Sequence, residues 1–411
     1  MNILFVHEVD WLSKVVFDMH TLAESLSLRG HTVYAVDYEN TWKRSSFFDF
    51  GSLRTRSFRN VSRAFEGSSV TLIRPGFWKI KGLSRLSAAV TSHFVIRKII
   101  REKRIDAVVL YSVPTTGLQV LTAAKRAGIP VLFRSIDILN QLVPVKPLQP
   151  VTRFLEKKVY RDSDLILSLT PGLTGYVNAL GADETAVRPL LMPVDMTIFH
   201  PGIDSGDVRR KWGVKEGDRI ILFMGTLFDF SGLDDLIPLF GTVTEKIPEA
   251  KLLIVGDGPQ REELERCIER HGLRDSVTIT GFEPYTMMPL YINMADVCIN
   301  TFRITGATRD IFPGKTVQFL ACGKPFIATP LPGLKVVIPG EEQGIVYAEK
   351  PEEMIDAVLG VLESPERAHK LGRAGLDYVT KTHSFESIAR QLEGYLTEAV
   401  ETKRSSQASK S

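Results

Sequence analysis

The chain has 411 residues, of which 44% are hydrophobic and 24% charged, and its formal net charge is +3. A single hydrophobic core stops growing near about 250–300 residues, so this length predicts two or three domains, and the composition excludes wholesale disorder. No apolar run reaches the roughly 18 residues that span a bilayer, and the first strand has no basic leader, which argues against a membrane span and a signal peptide. Three widely spaced cysteines, Cys267, Cys298 and Cys322, favour a reducing compartment over a disulfide or zinc framework.

A basic segment lies in the N-terminal part of the chain. Residues 40–104 hold 15 Lys or Arg against Asp49, Glu66 and Glu102. Such a segment fits nucleic acid, a membrane surface, a phosphorylated substrate or merely a solvated face. Aromatic residues among the arginines favour an anionic membrane, and no nucleic-acid-binding motif accompanies them. These aromatic residues are Phe47, Phe48, Phe50, Phe58, Phe65, Phe77 and Trp78.

Short apolar runs, which predict strands, alternate with longer stretches that predict helices. In the first half the expected strands are Ile3–His7, Thr32–Val36, Ala107–Tyr111, Val131–Arg134 and Leu165–Leu169, with helices at Val15–Arg29 and Thr115–Arg126. In the second half the strands are Ile220–Met224, Lys251–Val255, Val277–Ile279, Val297–Asn300 and Phe326–Ala328, with helices at Leu233–Ile247, Gln260–His271 and Thr316–Cys322. This alternation predicts an α/β fold with two doubly wound, Rossmann-like parallel sheets.

A stretch with Pro and Gly, residues 192–202, separates the two series of strands and predicts the linker between domains. We expect an N-terminal domain at 1–198 and a C-terminal domain at 199–384. A helix at 385–401 is expected to pack back towards the N-terminal domain, and a tail at 402–411 is expected to be disordered. Ligands of parallel sheets bind beyond the carboxyl ends of the strands, so two facing domains predict a central cleft for two substrates or for two bound ligands.

Glycine-bearing turns follow three expected strands of the C-terminal half. They run from Gly225 to Gly232, across Gly256 and Gly258, and through Gly281. Each turn alone is typical of an ordinary strand–helix loop. Because the three turns share one sheet edge, they indicate backbone N–H groups gathered around a phosphate.

The chain also carries LIVGDGP at Leu253–Pro259, TGF at Thr280–Phe282, ADV at Ala295–Val297 and ACGKPFIAT at Ala321–Thr329. Further motifs are Val194-Asp195 with Phe199–Pro201 in the linker, and Leu28–Val33 after the first helix. Together these motifs resemble those of retaining glycosyltransferases of the GT-B fold, family 4. The resemblance covers nearly the whole chain and is weakest over 40–110, where an acceptor-binding region is expected.

The resemblance implies a donor sugar linked to UDP or GDP, bound by the C-terminal domain, and an acceptor bound by the N-terminal domain. It implies retention of the anomeric configuration without a metal or other cofactor, because basic side chains and helix N-termini neutralise the diphosphate. The donor-binding residues it implies are Gly225, Thr226, Leu227, Ser231, Gly232, Gly256, Gly258, Gly281, Phe282, Phe312, Pro313, Gly314, Thr316 and Gln318.

At two pairs of positions that are charged in the family, this chain has other residues. The Arg and Lys that grip the diphosphate in the family read Thr226 and Ser231, so both charges are absent. The family's Glu-x7-Glu motif reads Asp310-x7-Gln318. We expect Asp310 to accept hydrogen bonds from the sugar and Gln318 to bond the ribose through its carbonyl oxygen.

Replacement charge is expected from Lys315, with Arg303 or Arg309 in the preceding loop as further sources. A lysine in the first turn of a helix opposes the helix dipole, which favours a functional role over a solvent-facing side chain. The histidine often found in the family's N-terminal domain reads Ile136, followed by a matching Asp137. The expected catalytic residues are Asp310, Lys315, Asp137 and Arg134.

The acceptor-side candidates lie in the loop after the first strand. They are Glu8, Asp10, Trp11 and Lys14. The two carboxylates can orient a hydroxyl or act as a base, although Asp10 or Ser13 can equally cap the following helix. His7, at the end of the strand, is expected to be a core histidine.

These features predict a metal-independent glycosyltransferase that acts on a lipid-linked or otherwise anionic acceptor in cell-envelope synthesis. We expect it to be cytoplasmic and peripheral at the inner face of the membrane. One alternative is a non-catalytic nucleotide-sugar-binding protein, since the changed charges can record lost chemistry. Another is an epimerase of the same fold, which needs no acceptor. The sugar, the base and the acceptor stay open.

Overall fold

The computed structural model of the protein describes residues 1–14, 16–39, 50–80, 83–143 and 145–408. The chain divides into two compact units: unit 1 is Met1–Pro193 with Phe385–Ser411, and unit 2 is Val194–Ser384. The expected boundary at 198 therefore lies inside unit 2. The reason is local pairing, because the backbone N–H of Val194 donates to the carbonyl of His383 at 2.9 Å and brings both ends of unit 2 together.

Unit 1 is built on a mostly parallel sheet and a separate antiparallel pair of strands. The strands are β1 (Asn2–Val6), β2 (Thr32–Val36), β3 (Gly51–Ser52), β4 (Arg56–Val61), β5 (Val70–Arg74), β6 (Phe77–Trp78), β7 (Ala107–Leu110), β8 (Val131–Ser135), β9 (Leu165–Ser168) and β10 (Val187–Pro189). Eight form one sheet in the order β10-β9-β8-β7-β1-β2-β5-β4, in which only β4 is antiparallel to its neighbour. Strands β3 and β6 pair separately. The central strands are buried on both faces, which explains their continuous apolar sequence.

Helices cover both faces of this sheet. One face packs against α1 (Asp18–Leu28) and the last helix of the chain, α15 (Phe385–Ala408). The other packs against α2 (Ser84–Glu102), α3 (Gly117–Ala127), α4 (Gln149–Asp162) and α5 (Pro171–Ala179). Helix α3 lies between α2 and α4 and contacts both.

The expectation of a disordered tail from residue 402 is wrong as far as Ala408, because α15 continues to that residue. Its last two turns are held by side chains. Lys403 Nζ lies 2.6 Å from Asp164 Oδ1, and Gln407 Nε2 donates to the carbonyl of Gly128 at 2.8 Å. The tail has no apolar residue except Ala408, and its polar contacts are made to loops distant in sequence, so no local pattern predicts them.

Unit 2 is a second parallel sheet with helices on both faces. Its strands are β11 (Arg219–Met224), β12 (Ala250–Val255), β13 (Val277–Gly281), β14 (Val297–Asn300), β15 (Phe326–Ala328) and β16 (Ile345–Tyr347), in the order β13-β12-β11-β14-β15-β16. Its helices are α6 (Gly206–Lys211), α7 (Leu233–Leu236), α8 (Phe240–Lys246), α9 (Arg261–Arg270), α10 (Met288–Met294), α11 (Lys315–Ala321), α12 (Pro332–Val337), α13 (Pro351–Leu362) and α14 (Pro365–Thr382). The strand order reverses between β11 and β14, where ligands of such sheets bind.

Several predicted elements differ from the structure. The expected helix at Leu233–Ile247 is divided into α7, a 3-10 turn at Ile237–Leu239 and α8, since Pro238 cannot donate its backbone nitrogen. Helix α1 begins at Asp18, and Val15, the expected start, lies outside the described residues. Strands β3 to β6, β10 and β16 were not predicted. All but the interior strand β5 are edge strands or belong to a two-stranded pair, and such strands carry a weak alternating pattern. Within the described ranges, no helix is both long and apolar enough to cross a bilayer.

Candidate functional site

Two glycine turns pack against each other at the carboxyl ends of β11 and β12. Gly225 has φ +143° and Gly256 has φ +155°, and a Cβ on Gly256 would overlap the carbonyl oxygen of Gly225. A Cβ on Gly258 would lie 2.6 Å from the nitrogen and oxygen of Leu227, whose side chain is buried. The glycines are therefore required for the two turns to approach closely, and Leu227 anchors the loop in the core.

The third turn joins the same edge. Gly281, at φ +78°, forms an isolated bridge with Gly256 and faces the guanidinium of Arg261. The next residue, Phe282, is 66% exposed. An exposed ring at the end of a strand offers a flat surface on which a planar base can stack. The structure thus brings together the three glycine turns that the sequence indicated.

Lys315 begins α11 and reaches across the ends of β11 and β14. Its Nζ donates to the carbonyl of Met224 at 2.7 Å and lies 4.0 Å and 4.4 Å from the ring centroids of Phe223 and Phe302. A Cβ placed on Gly225 would lie 3.4 Å from this Nζ. Burial lowers the pKa of the Lys315 ammonium well below its usual value. The ammonium is therefore directed at the glycine turn, and two aromatic rings and a backbone carbonyl stabilise its charge.

Buried polar groups without a hydrogen-bond partner surround the same edge. Among the described residues they include the hydroxyls of Ser231 and Thr316 and both amide atoms of Asn300. All three residues are fully buried. A buried polar atom costs about 1–3 kcal/mol when it is left unpaired, so these groups are suited to a ligand or to water. Asn300, the last residue of β14, was not predicted, because one polar residue at a strand end also suits a cap.

Asp310 and Gln318 flank this region. Asp310 is half-buried in the loop before α11, and its backbone packs against Gly333 so closely that a Cβ there would overlap it. Gln318 is half-buried on α11, and its Nε2 lies 3.4 Å from the hydroxyl of Tyr285. Both side chains belong to unit 2, as a donor-binding role requires.

The loop residues around Lys315 divide into ligand candidates and packing residues. Phe312, expected to bind the donor, is buried and stacks on His383 at 5.7 Å, so its ring supports the fold instead. Pro313 is buried and Gly314 is half-buried at the start of α11. Thr226 is exposed on the β11–α7 loop, while Gly232 is buried against the carbonyl of Thr301.

Arg303, one expected source of replacement charge, is engaged elsewhere. Its guanidinium pairs with Asp234 at 2.8 Å and Asp235 at 2.6 Å, and its Nη1 donates to the carbonyl of Asp229 at 2.5 Å. Its backbone N–H donates to the carbonyl of Phe230 at 2.8 Å. Arg303 therefore ties the loop after β14 to the loop after β11, whereas Arg309 is exposed.

On unit 1, the predicted acceptor-side carboxylates are engaged in local structure. Glu8 Oε1 accepts hydrogen bonds from the backbone N–H groups of Thr115 and Thr116 at 2.6 and 2.8 Å, ahead of α3, and Oε2 pairs with Arg85. Asp10 Oδ1 accepts from Arg74 Nη2 at 2.7 Å and from the backbone N–H groups of residues 12 and 13. Asp10 therefore caps the turn that follows it and not α1, whose N-cap is Phe17, so the expectation of a helix cap by Asp10 or Ser13 is wrong.

Trp11 and Arg134 do not reach a substrate from their positions in unit 1. The Trp11 side chain is fully buried in the core, which overturns its expected contact with the acceptor. Arg134 is buried beside Asp18, with Nη2 2.8 Å from Oδ1, and the hydroxyl of Tyr111 donates to the same carboxylate at 2.9 Å. Because its charge is neutralised inside the core, Arg134 has a structural role here, and its expected catalytic role is not supported.

Asp137 and Lys14 are the acceptor-side candidates that keep a polar surrounding. Burial raises the pKa of Asp137 to about 6, with the carboxylate of Asp18 adding to the shift and the charge of Lys14 opposing it. Lys14 is exposed. His7 packs its ring 5.3 Å from that of Tyr111, and burial lowers its pKa to about 3, so it stays neutral.

The aromatic residues of the basic segment are arranged differently from the expectation. Phe65 and Phe77 are buried, and Phe47 and Phe48 lie outside the described residues, whereas Phe50 and Trp78 are exposed. The arginines are also partly engaged. The guanidinium of Arg63 donates to the carbonyls of residues 11, 12 and 14, Arg56 pairs with Glu39, and Arg74 is buried.

Two family models match the chain. "Glycosyl transferase 4-like domain" matches residues 16–191, in unit 1, and "Glycosyl transferases group 1" matches residues 204–377, in unit 2. Among curated relatives, the chain is 25% identical over 281 residues to a D-inositol 3-phosphate glycosyltransferase of Segniliparus rotundus, covering 65% of this chain and 60% of the relative. It is 28% identical over 232 residues to a GDP-mannose-dependent phosphatidylinositol monomannoside mannosyltransferase of Mycolicibacterium smegmatis, covering 55% and 60%. The matched region thus spans about three-fifths of each relative.

Solved structures share the fold across almost the whole chain. HepE of Anabaena, in complex with UDP and glucose, has a TM-score of 0.72 and 15% identity, covering 97% of this chain and all of that chain. Sucrose-phosphate synthase of Thermosynechococcus elongatus has a TM-score of 0.73 and 18% identity, covering 97% and 98%. The two parallel α/β sheets form the GT-B fold.

Proposed function

Because the chain belongs to glycosyltransferase group 1, we propose that it transfers a sugar from a nucleotide-sugar donor to a hydroxyl of an anionic, lipid-linked acceptor. The observation that carries the proposal is the carboxyl edge of β11 and β14 in unit 2. There a half-buried lysine, two hydroxyls without a partner among the described residues and three glycine turns lie around one point of the sheet. Such an edge is suited to the diphosphate of a nucleotide-sugar.

The diphosphate leaving group needs positive charge as its bond to the sugar breaks. With Thr226 and Ser231 in place of the family's cations, Lys315 supplies that charge from α11, and the hydroxyls of Ser231 and Thr316 supply neutral donors. An ammonium that is poorly solvated before binding gains more from an incoming phosphate than an exposed one does. This accounts for transfer without a metal.

We assign the base, the ribose and the sugar of the donor to side chains whose chemistry suits each of them. The exposed ring of Phe282 stacks the base, Gln318 bonds the ribose, and Asp310 accepts hydrogen bonds from the sugar. A carboxylate near the sugar also stabilises the positive charge that develops at the anomeric carbon. The donors named for relatives and neighbours, GDP-mannose and UDP-glucose, are the first two to test.

On the acceptor side we assign Asp137, held near Lys14, to orient the attacking hydroxyl. We propose retention by front-face attack: the acceptor oxygen bonds the anomeric carbon on the side that the diphosphate leaves. The leaving phosphate oxygen takes the acceptor proton. No covalent enzyme intermediate is needed, so no nucleophilic side chain is assigned.

The acceptor is proposed to be lipid-linked, at the inner face of the cytoplasmic membrane. Support comes from the basic balance of residues 40–104 and from relatives named for phosphatidylinositol mannoside acceptors. The same basic residues would also suit a water-soluble phosphorylated acceptor. Sedimentation of the chain with phospholipid vesicles distinguishes an acceptor at the membrane from one in solution.

The test is product analysis with the full chain, EDTA and labelled UDP-glucose or GDP-mannose, with and without extracted membrane lipids. The proposal expects label to move from the nucleotide to lipid only when lipids are present. A donor that binds but is neither transferred nor hydrolysed would support the non-catalytic binder. An epimerised sugar, free or still linked to the nucleotide, formed without lipids would support the epimerase. Either result would contradict the proposal.

A further inference from the structure

Helix α2 exposes an apolar stripe on the side away from its core. Leu83, just before the helix, is followed by Leu86, Val90 and Phe94 at spacings of three and four residues, which places them on one face. Leu86 is 65% exposed and Phe94 is 63% exposed. The opposite face of the helix packs on the sheet. A row of large apolar side chains in water is unusual and marks a binding surface.

A second apolar row lies on α4 and the turns before it. Leu142, Val145 and Leu148 lead into the helix, where Val151 and Phe154 continue the row. Phe154 is 68% exposed. On the other side of the helix, Val159 and Tyr160 pack in the core. Helix α4 therefore has an inner apolar face and an outer one.

Both rows lie on the same side of unit 1 and at the same end. Helices α2 and α4 flank α3 in one layer, and each follows a strand and runs back along the sheet. The N-terminal half of each helix, which carries its apolar row, therefore lies near the carboxyl edge of the sheet. We call the two rows together the α2/α4 surface.

The charge of this layer is strongly positive. Helices α2, α3 and α4 carry ten Lys or Arg and three Asp or Glu, of which Glu156 is buried. The layer on the other face of the same sheet, α1 and α15, carries three Lys or Arg and six Asp or Glu. Lys146 and Arg153 are exposed between the apolar residues of the α4 row.

We infer that the α2/α4 surface docks unit 1 on an anionic phospholipid bilayer. The apolar rows enter the boundary between headgroups and acyl chains, and the lysines and arginines around them pair with lipid phosphates. The inference rests on the proposed function for its purpose, since it brings the carboxyl edge of unit 1 to the membrane that holds a lipid-linked acceptor. It narrows the contact expected from the basic, aromatic-bearing segment 40–104 to α2, near the end of that segment, and adds α4, which lies outside it.

The experiment is sedimentation of the full chain with vesicles of phosphatidylcholine, with and without about one-third phosphatidylglycerol. Two double variants remove the rows, Leu86→Glu with Phe94→Glu on α2 and Val151→Glu with Phe154→Glu on α4. A matched control, Gln391→Glu with Thr402→Glu, makes the same charge change at exposed positions on α15. We expect binding to the anionic vesicles only, a loss of at least about tenfold for each row variant, and no loss for the control.

Each other outcome overturns the inference. If wild type and row variants bind vesicles equally, the membrane contact lies elsewhere. If the control loses as much binding as the row variants, the loss is an effect of net charge and not of the apolar rows. No vesicle binding, together with a dimer that the row variants dissociate in sedimentation velocity, would assign the surface to a second copy of the chain. Melting temperature checks that every variant is folded. Donor transfer to detergent-dispersed lipid tests the proposed function separately, because it does not require docking.

Discussion

The carboxyl edges of the two sheets differ in how their charged residues are held, although unit 1 also buries two polar atoms without a partner among the described residues, Ser135 Oγ and His7 Nδ1. In unit 1, Glu8, Asp18 and Arg134 are engaged with backbone or side-chain partners from the same unit. In unit 2, Ser231, Asn300 and Thr316 are buried without a partner among the described residues. Both edges have the same topology, so topology does not distinguish them.

The difference shows how a polar residue near a strand end should be interpreted. A partnered buried charge contributes to the integrity of the fold, because removing its partner leaves an uncompensated charge. An unpartnered buried group lowers the stability of the free protein and is available to a ligand. Substitutions at the first edge should therefore change stability, and substitutions at the second should change ligand binding and turnover.

The largest expected effect is on stability. Arg134→Met leaves the buried Asp18 carboxylate without its cation and should lower the free energy of unfolding by about 3–5 kcal/mol. Thermal unfolding should show it, while the exposed Arg126→Met control should leave the melting temperature unchanged. If the Arg134→Met protein is as stable as wild type but has greatly reduced turnover, Arg134 has a catalytic role and not a structural one.

The next effect is on turnover. Lys315→Met removes a charged hydrogen bond from the leaving diphosphate and should lower kcat by about 10²-fold, or about 3 kcal/mol. Its effect on stability should have the opposite sign. Because burial lowers the Lys315 pKa, the folded state binds this proton less readily than the unfolded state does, which destabilises the free protein below about pH 10.

Lys315→Met should therefore melt at a higher temperature than wild type without donor, and should gain less stability when donor is added. Lys335→Met, at an exposed position in the same unit, is the control for charge removal. Unchanged kcat in Lys315→Met would reject the assignment of this lysine to the diphosphate.

Substitutions of Asp310 and Gln318 should have different effects, the first mainly on kcat and the second mainly on nucleotide affinity. Asp310→Asn should reduce kcat more than it weakens nucleotide affinity, since contacts to the sugar strengthen as the anomeric carbon becomes cationic. Gln318→Ala should weaken the affinity for free nucleotide by about fivefold to tenfold and change kcat less. Calorimetry with the nucleoside diphosphate alone, beside steady-state kinetics, measures both. If Gln318→Ala binds the nucleotide as wild type does, the ribose contact is wrong.

The smallest effect concerns Asp137. Its raised pKa means that the folded protein retains this proton between about pH 4 and pH 6, so its stabilising contribution is present below pH 4 and is lost as the pH rises through 6. Asp137→Asn should match wild type in melting temperature near pH 4 and exceed it near pH 7.5. Asp137→Asn should also reduce transfer, if this carboxylate orients the acceptor. A pH-independent difference in melting temperature would show that folding does not raise the pKa of this carboxylate.

The glycine turns and the position of Lys315 at the carboxyl edge of unit 2 were largely predictable, because their signals are local. Gly256 and Gly258 must be glycines for the turns to approach, and Lys315 opposes the dipole of the helix it begins. These constraints are visible within a few residues of sequence. Asn300 was missed, since its missing partner is a property of the packed strand.

The side-chain interactions at the carboxyl edge of unit 1 were predicted less well, because the interacting residues are distant in sequence. Arg134 finds Asp18 at a separation of 116 residues, and Glu8 finds Thr115 at 107. No local pattern distinguishes an arginine at a strand end that will be neutralised from one that will face a ligand. The α2/α4 surface was missed for the same reason, since only packing shows which apolar face of a helix stays outside.

The most direct test of the account is isothermal titration calorimetry of the full chain with UDP-glucose and with GDP-mannose in excess EDTA. The account predicts saturable binding of at least one donor, retained in Arg303→Lys and weakened at least tenfold in Lys315→Met. It would be contradicted if neither donor bound, if binding required added Mg²⁺, or if Lys315→Met bound as tightly as wild type.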